Sequence, residues 1–181
     1  MDNDQKSKLL AYLKSNYEFQ EIPMEGGLAF QTYISDEAIP DQALPDRYAG
    51  SRQVNSLIYF LLEDKENCFS AMHQLKTDET YHYYIGDPVE MLLLYSNGTS
   101  ETLLLGSDIL NGQNVQHTVP RGTWQGSHLL PGGKFAFMAA SMSPGFDSRD
   151  FTLGKRDDLI ENYPDRKLLI TQLTRKLDLG L

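Results

Sequence analysis

Two titratable side chains near the middle of the chain, His73 and Glu79, are the first candidates for chemistry. The alternation of a β-strand places His73 on the same face as Leu75, and Glu79 begins the next predicted strand with its side chain toward the same interior. A carboxylate beside an imidazole favours the charged ring and orients it, which would make an acid/base pair. Alternatively, two buried polar groups simply satisfy each other by hydrogen bonding. We predict His73 and Glu79 as catalytic residues and keep the second interpretation open.

Aromatic and amide side chains are predicted to surround this pair. Tyr81 and Tyr83 share strand parity with Glu79. Trp124 and Gln125 are adjacent, so only one of them can face inward from a regular strand. We predict that Gln125 faces the pocket and that Trp124 covers its mouth or packs in a second layer. The predicted ligand-binding residues are Tyr33, Phe60, Tyr81, Tyr83, Trp124 and Gln125.

The other three histidines are assigned away from the interior. His82 has the opposite parity to Glu79 and is predicted on the barrel exterior or at a dimer contact, unless a bulge rotates it inward. His117 precedes the turn Pro120-Arg-Gly122 and reads as a surface residue. His128 has the opposite parity to Gln125 and is predicted to face outward.

A transition-metal site needs three or four nitrogen, oxygen or sulfur ligands that converge on one point. His73 and Glu79 are available, Leu75 cannot ligate, and Gln125 offers only a neutral carbonyl oxygen. We therefore predict no metal and no other cofactor, with a metal-dependent enzyme kept as an alternative.

The elements that must position these residues are mainly short strands. Residues 5–17 have helical apolar spacing, and Gly26-Gly27 ends that unit. Asn97-Gly98 between two apolar runs predicts a hairpin through the positive φ values of a type I′ turn. Residues 157–173 predict two short helices separated at Pro164. The predicted strands are 28–35, 55–63, 68–75, 79–85, 89–95, 100–105, 113–119, 122–129 and 135–142.

Many short strands without intervening helices favour a closed antiparallel barrel or jelly roll. The predicted fold class is therefore all-β with flanking helices. We expect a single domain over residues 1–181, with an N-terminal helix in 1–22, a β-barrel in 23–152 and a helical tail in 153–181.

Several ordered segments resemble the Cupin_5 family, cupins first grouped as a domain of unknown function. In a metal-binding cupin the corresponding frame reads His-x-His, a Glu, and then Pro-x-Gly-x-x-His; here Leu75 and Gln125 occupy two of the histidine positions. The segments that carry the resemblance are Pro23-Met-Glu-Gly-Gly27, Ile58-Tyr-Phe-Leu-Leu62, His73 through Pro88, Val119-Pro-x-Gly122-x-Trp124-Gln125, and Ser143-Pro-Gly-Phe146-Asp147.

The resemblance implies a cupin double-stranded β-helix with one open pocket per barrel, commonly paired as a homodimer. Leu at position 75 is usual in this family. Relatives often carry Arg around the first strand where this chain has Phe30 and Ile34, so an anionic group bound there in relatives is not expected here.

Bulk properties narrow the partners and the compartment. The net charge of −9 would repel a phosphate backbone, so no nucleic acid is expected. Cys68 is the single cysteine, which excludes an intrachain disulfide and fits a reducing compartment. The first residues do not resemble a signal peptide and no apolar run is long enough for a bilayer. We expect a cytoplasmic protein that does not bind membranes.

These observations support three functional hypotheses. The first is a cupin that binds a small polar molecule, such as a sugar or nucleotide sugar. Its enzymatic version is a metal-independent isomerase or epimerase, in which His73 is the base, Glu79 orients it, and a tyrosine returns the proton. The second hypothesis is a non-catalytic ligand-binding or sensing module, and the third is a metal-dependent cupin enzyme. The analogy with epimerases rests on the fold and is weak support for function.

Overall fold

A computed structural model describes residues 1–175 as a β-barrel with helices at both sides. Three α-helices occur in this range: α1 (Asn3–Asn16), α2 (Arg156–Asn162) and α3 (Lys167–Gln172). The strands are, in chain order, β1 (Gln20–Glu21), β2 (Leu28–Ile34), β3 (Ala38–Ile39), β4 (Arg52–Gln53), β5 (Ser56–Glu63), β6 (Ser70–Leu75), β7 (Glu79–Gly86), β8 (Val89–Leu94), β9 (Ser100–Leu105), β10 (Gln116–Val119), β11 (Trp124–Leu129), β12 (Phe135–Met142) and β13 (Phe151–Leu153).

Two antiparallel sheets face each other and form the barrel. The first has the strand order β1-β2-β5-β12-β7-β10 and the second has the order β13-β6-β11-β8-β9. Strands that are distant in sequence pair within each sheet, which is the crossover pattern of a jelly roll. The predicted all-β fold with flanking helices is confirmed.

The main core lies between the inner faces of the two sheets. Phe60 and Met138 contribute to it from the first sheet, and Met91 and Leu93 from the second. These four side chains are at most 1% exposed, so the middle of the barrel is filled by apolar side chains.

Helix α1 covers part of the outer face of the first sheet. Asp2 caps it in a reciprocal capping box with Gln5. Leu13 is buried against Leu61 and Phe135 of the sheet. The helix ends at Asn16 and β1 follows at Gln20, so residues 1–22 are not all helical as the predicted boundary implied. Within the described residues no helix is both long and apolar enough to cross a bilayer.

The other helices pack on the outer face of the second sheet. Leu159 of α2 and Ile170 of α3 form a second apolar cluster with Leu92 and Leu94 of β8. The predicted helical tail is thus two short helices, and residues 176–181 of the predicted tail lie outside the described residues.

The hairpin between β8 and β9 forms where it was predicted, but with a different turn. Gly98 has a φ of +84°, while Asn97 is not among the residues with positive φ. The Gly98 N–H donates to the Tyr95 carbonyl and the Tyr95 N–H donates to the Thr99 carbonyl, each at 2.9 Å. This is a type I turn closed by a left-handed glycine, so the type I′ prediction was wrong.

Candidate functional site

A cavity of about 160 Å³ lies inside the barrel and reaches solvent near Phe146, which is 48% exposed. Most of its wall is apolar. The polar lining side chains are Glu25, Gln31, Ser56, His73 and Glu79. The apolar and aromatic lining residues are Ile22, Ala29, Ile58, Phe60, Leu75, Tyr81, Ala140, Met142 and Phe146.

His73 is held rigidly in β6 with its ring against the cavity. Its Nδ1–H donates to the Ala71 carbonyl at 2.8 Å, which directs Nε2 away from the backbone. The ring stacks on Phe151 of β13, with centroids 5.3 Å apart and an interplanar angle of 19°. Only 1% of the residue is exposed, so the imidazole has little freedom to move.

Glu79 and Gln125 meet beside this imidazole. The Gln125 Nε2–H donates to Glu79 Oε2 at 2.8 Å, and the same oxygen lies 3.9 Å from His73 Nε2. The distance of 3.9 Å is too long for a hydrogen bond, so the Glu79 carboxylate and the His73 imidazole interact by charge alone. Gln125 reaches this position because it pairs directly with His73 across β11 and β6.

Glu25 is a third member of the site that the sequence analysis did not select. It lies on the loop between β1 and β2, lines the cavity, and accepts a hydrogen bond from the Ser70 hydroxyl at 2.8 Å. Glu25 belongs to the Pro23–Gly27 segment that contributed to the family resemblance, which was the one available signal. Strand alternation could not select it, because it lies on a loop.

The electrostatic balance keeps His73 charged at neutral pH. Burial alone would lower the pKa of His73, but the charge of Glu25 and then the carboxylate of Glu79 outweigh it and raise that pKa to about 9. Burial raises the pKa of Glu25, and the nearby imidazolium opposes that rise. Burial, followed by the charges of Glu79 and Glu25, raises the pKa of Tyr81 well above its usual value.

The residues present do not fit the metal site of a metal-binding cupin. Leu75 lines the cavity with a hydrocarbon side chain, and Gln125 turns its NH2 group toward Glu79, a donor that cannot bind a cation on that side. In residues 1–175, no group of three or more His, Cys, Asp or Glu side chains is arranged to hold a metal ion.

The structure brings together some of the predicted site residues and separates others. Phe60 and Tyr81 line the cavity with His73 and Glu79, and Gln125 touches Glu79 from the neighbouring sheet. These residues form one group because their inward faces meet between the two sheets.

Three predicted ligand-binding residues lie away from the cavity. Tyr83 is buried in the apolar core further along β7. Trp124 packs in the cluster formed with α2 and α3, which corresponds to the second-layer alternative. Tyr33 is 51% exposed, because the register between β2 and β5 shifts between Gln31 and Tyr33 and places Tyr33 opposite Leu57 on the outer face.

The remaining histidines have separate environments. His82 points away from the interior and bonds to the Ser141 hydroxyl at 3.0 Å, and His128 bonds to Glu90 at 3.1 Å. His117 is partly buried, and burial lowers its pKa. It shares the inward parity of Val119 in β10.

The comparison with known families decides the classification. The profile of the Cupin_5 family, described as cupin superfamily (DUF985), matches residues 11–154. The chain belongs to the Cupin_5 family. Its jelly roll is therefore that of a Cupin_5 protein rather than of an unrelated barrel.

Relatives of this Cupin_5 chain extend the fold assignment. A Saccharomyces cerevisiae protein, described as uncharacterized, is 29% identical over 115 residues, which are 62% of this chain and 56% of that protein. The chain thus matches little more than half the length of this curated relative. A crystal structure of a Shewanella oneidensis protein is 30% identical, with a TM-score of 0.75, and the match covers 87% of this chain and 92% of the other.

A hypothetical protein from Leishmania major has a TM-score of 0.78 at 24% identity, covering 91% of this chain and 97% of that one. At this identity the likeness shows the fold alone. The names of these three relatives state no reaction, so they do not indicate what chemistry this Cupin_5 chain performs.

Proposed function

We propose that this cupin binds a compact, uncharged small molecule in its barrel, and that Glu25 and His73 exchange protons with it while Glu79 maintains the charge on His73. The observation that carries the proposal is the placement of three titratable groups together on the wall of a mostly apolar cavity. Such clusters, with pKa values shifted by burial and by a specific partner, are typical of acid/base sites.

The size of the cavity limits the ligand. At about 160 Å³ it is close to cavities of roughly 150 Å³ that hold a benzene molecule. A molecule of monosaccharide size or smaller is therefore the best match. Of a nucleotide sugar, only the sugar part would be enclosed.

The charge of the lining favours a neutral ligand. Two carboxylates, Glu25 and Glu79, face one imidazolium, His73, and among the described residues none that lines the cavity is Lys or Arg. A phosphate or carboxylate group would meet net negative charge without a cationic partner. We therefore narrow the sugar-like ligand to an uncharged hydroxy-carbonyl compound.

The proposed reaction is a proton shift next to a carbonyl group. Glu25, whose pKa is raised by burial, takes a proton from the carbon adjacent to the carbonyl. The electrons of that C–H bond form a C=C bond, and the carbonyl oxygen takes the proton from His73 Nε2. Glu25 then gives its proton to the former carbonyl carbon, while the hydroxyl group on the first carbon loses its proton to His73 and becomes the new carbonyl. This gives an isomer and restores both side chains, so no other reactant is required.

His73 therefore has a different role from the one inferred from sequence. An imidazole with a pKa of about 9 is protonated at neutral pH and donates a proton, whereas the sequence-based hypothesis made it the base. Glu79 maintains the charge on the imidazolium, and the Gln125 amide fixes the orientation of Glu79.

The proposal is tested by hydrogen exchange at carbon. Dihydroxyacetone, glyceraldehyde and the tetroses are incubated with the protein in D₂O, and loss of the α-proton signal is followed by NMR. We expect exchange with the wild type and a loss of at least about 100-fold in E25Q and H73Q, in line with typical acid/base contributions. E90Q, which alters a carboxylate that bonds to His128 and does not line the cavity, is the control that should retain exchange.

Two other results would contradict this chemistry. Binding of these compounds without exchange would favour the non-catalytic ligand-binding module. Neither binding nor exchange with any compound of the series would reject the proposed ligand class.

We also propose that the protein is a homodimer and that it is cytoplasmic. The dimer is supported by the family resemblance and by aromatic residues that lie on the outer face of the first sheet beyond α1, where Tyr33 and Tyr84 are each 51% exposed. The compartment is supported by the single, unpaired Cys68.

A further inference from the structure

The loop that carries Glu25 has a backbone that needs outside support. Between β1 and β2, Met24, Gly26 and Gly27 have φ values of +66°, +90° and +71°. Glycine adopts such values freely, but Met24 does so only at a cost in conformational energy. Contacts with the rest of the protein must therefore hold this loop in place.

Arg175 supplies two of those contacts. Its Nε–H donates to the Met24 carbonyl at 2.9 Å, and its Nη2 donates to the carbonyls of Glu25 and Asn67, each at 3.1 Å. The guanidinium lies over the Phe69 ring, 4.7 Å from the centroid. A Cβ at Gly26 would overlap this guanidinium, so the glycine leaves the space that Arg175 fills.

The segment after α3 is itself fixed to the strand that bears His73. The Leu173 carbonyl accepts a hydrogen bond from the Met72 N–H at 2.7 Å, and Leu173 is 1% exposed. On the other side, the Ala71 N–H donates to the Glu25 carbonyl at 2.9 Å. Arg175 thus ties the Glu25 loop to the neighbours of His73.

We propose that Arg175 is a positioning residue that holds the loop of residues 22–27 so that the Glu25 carboxylate stays beside His73. Arg175 does not line the cavity and acts only through Glu25. The catalytic meaning of this role rests on the proposed function. The placement itself can be tested without any ligand.

The pKa of His73 is the appropriate readout, since the charge of Glu25 is the largest influence that raises it to about 9 against burial. The charged groups that face His73 are Glu25 from the loop and Glu79 from β7; Gln125 of β11 and Phe151 of β13 are uncharged. Loss of the positive charge of Arg175 alone would raise this pKa. Displacement of Glu25 would lower it, so the sign of the change separates the two effects.

The experiment is an NMR titration of the histidine side chains in wild type, R175Q, E25Q and the R175Q/E25Q double variant, with the His73 signal assigned from H73Q. We expect R175Q to lower the pKa of His73 by at least half as much as E25Q does. In the E25Q background, R175Q should produce no further decrease, since Glu25 no longer carries a charge.

Two further variants complete the test. R175K keeps the charge but lacks the planar fork that reaches three carbonyls, so we expect a smaller decrease in the same direction. R166Q is the control, because Arg166 bonds to Ser100 and not to the loop. A pKa of His73 in R175Q and R175K that equals or exceeds the wild-type value would overturn the proposal. If the pKa of His73 falls in R175Q as expected but the wild type does not exchange the α-proton of any compound tested, only the proposed function is rejected.

Discussion

His73 is charged inside a protein interior because two carboxylates compensate the cost of burial. An isolated imidazolium in such a place would lose its proton, since a low-dielectric surrounding penalises the charged form. Glu25 and Glu79 reverse this preference. The three side chains therefore act as one electrostatic unit, and the loss of either carboxylate would lower the proton affinity of His73.

The charge on His73 makes the stability of the fold depend on pH. The pKa of His73 is raised to about 9 from an ordinary value of 6.5, so its contribution is fully present below pH 6.5 and is lost as pH rises through 9. The shift corresponds to roughly 3 kcal/mol. We expect the free energy of unfolding of the wild type to fall between pH 6.5 and 9, measured by urea denaturation.

The matched reference is the E25Q/H73Q double variant, which removes the titrating imidazole and the carboxylate that raises its pKa most. Its free energy of unfolding should change little over the same range. An equal slope in the double variant and the wild type would show that other groups cause the pH dependence.

A second prediction concerns the missing metal ligands. The L75H/Q125H variant restores the three imidazoles and one carboxylate of a metal-binding cupin frame, and we expect it to retain near-stoichiometric Zn²⁺ or Ni²⁺ after dialysis, measured by elemental analysis. L75H alone and the wild type should retain far less. Equal retention by the wild type would mean that its own residues suffice, which would contradict our account of the donor set.

Apolar contacts attach helix α1 to the barrel, so their removal should destabilise the fold. Leu13 is 5% exposed and packs on Leu61 and Phe135. We expect L13A to lower the free energy of unfolding by roughly 2–5 kcal/mol, because it removes buried methyl groups and leaves a cavity. Chemical denaturation at neutral pH measures this change.

K8A, in the same helix, is the control for that measurement. Lys8 forms an exposed ion pair with Asp4 at 2.7 Å, and such pairs contribute less than about 1 kcal/mol. If L13A cost no more than K8A, the contacts of α1 would not stabilise the fold.

A single irregularity in β2 also has a large consequence. The shift between Gln31 and Tyr33 leaves Gln31 in the cavity wall and turns Tyr33 outward. Simple alternation alone would keep the two on the same face. The bulge thereby moves an aromatic ring from the predicted pocket to the outer surface of the molecule.

The outer face of the first sheet is the candidate interface of the proposed homodimer. The Tyr59 ring contacts those of Phe30, Tyr84 and Phe137 there, with Tyr59 and Phe137 centroids 4.9 Å apart. An exposed apolar patch of this kind is typical of protein interfaces. We expect Y84R to weaken the proposed homodimer, so that sedimentation velocity shows a species of about half the mass.

Y12R is the matched control, because Tyr12 is 60% exposed on α1 and belongs to none of these ring contacts. It should leave the sedimentation coefficient unchanged. A wild-type monomer of 20.5 kDa at micromolar concentration would contradict the proposed dimer.

The sequence by itself determined the class of fold and most of the strands. The predicted strands 100–105 and 135–142 have the bounds of β9 and β12 in the structure. Alternation of apolar residues and turn signals such as Asn97-Gly98 act over a few neighbouring residues, so they can be read along the chain. The same local alternation placed His73, Glu79 and Gln125 on inward faces.

The tertiary structure decided which other residues join the site. Glu25 approaches His73 from a loop and Phe151 stacks on it from β13. Arg175 reaches the loop of Glu25 from the segment after α3. These contacts connect residues that are far apart in the sequence and depend on how the two sheets and the helices pack. No local pattern contains that information, because the free energy that brings these residues together comes from burial of the whole barrel.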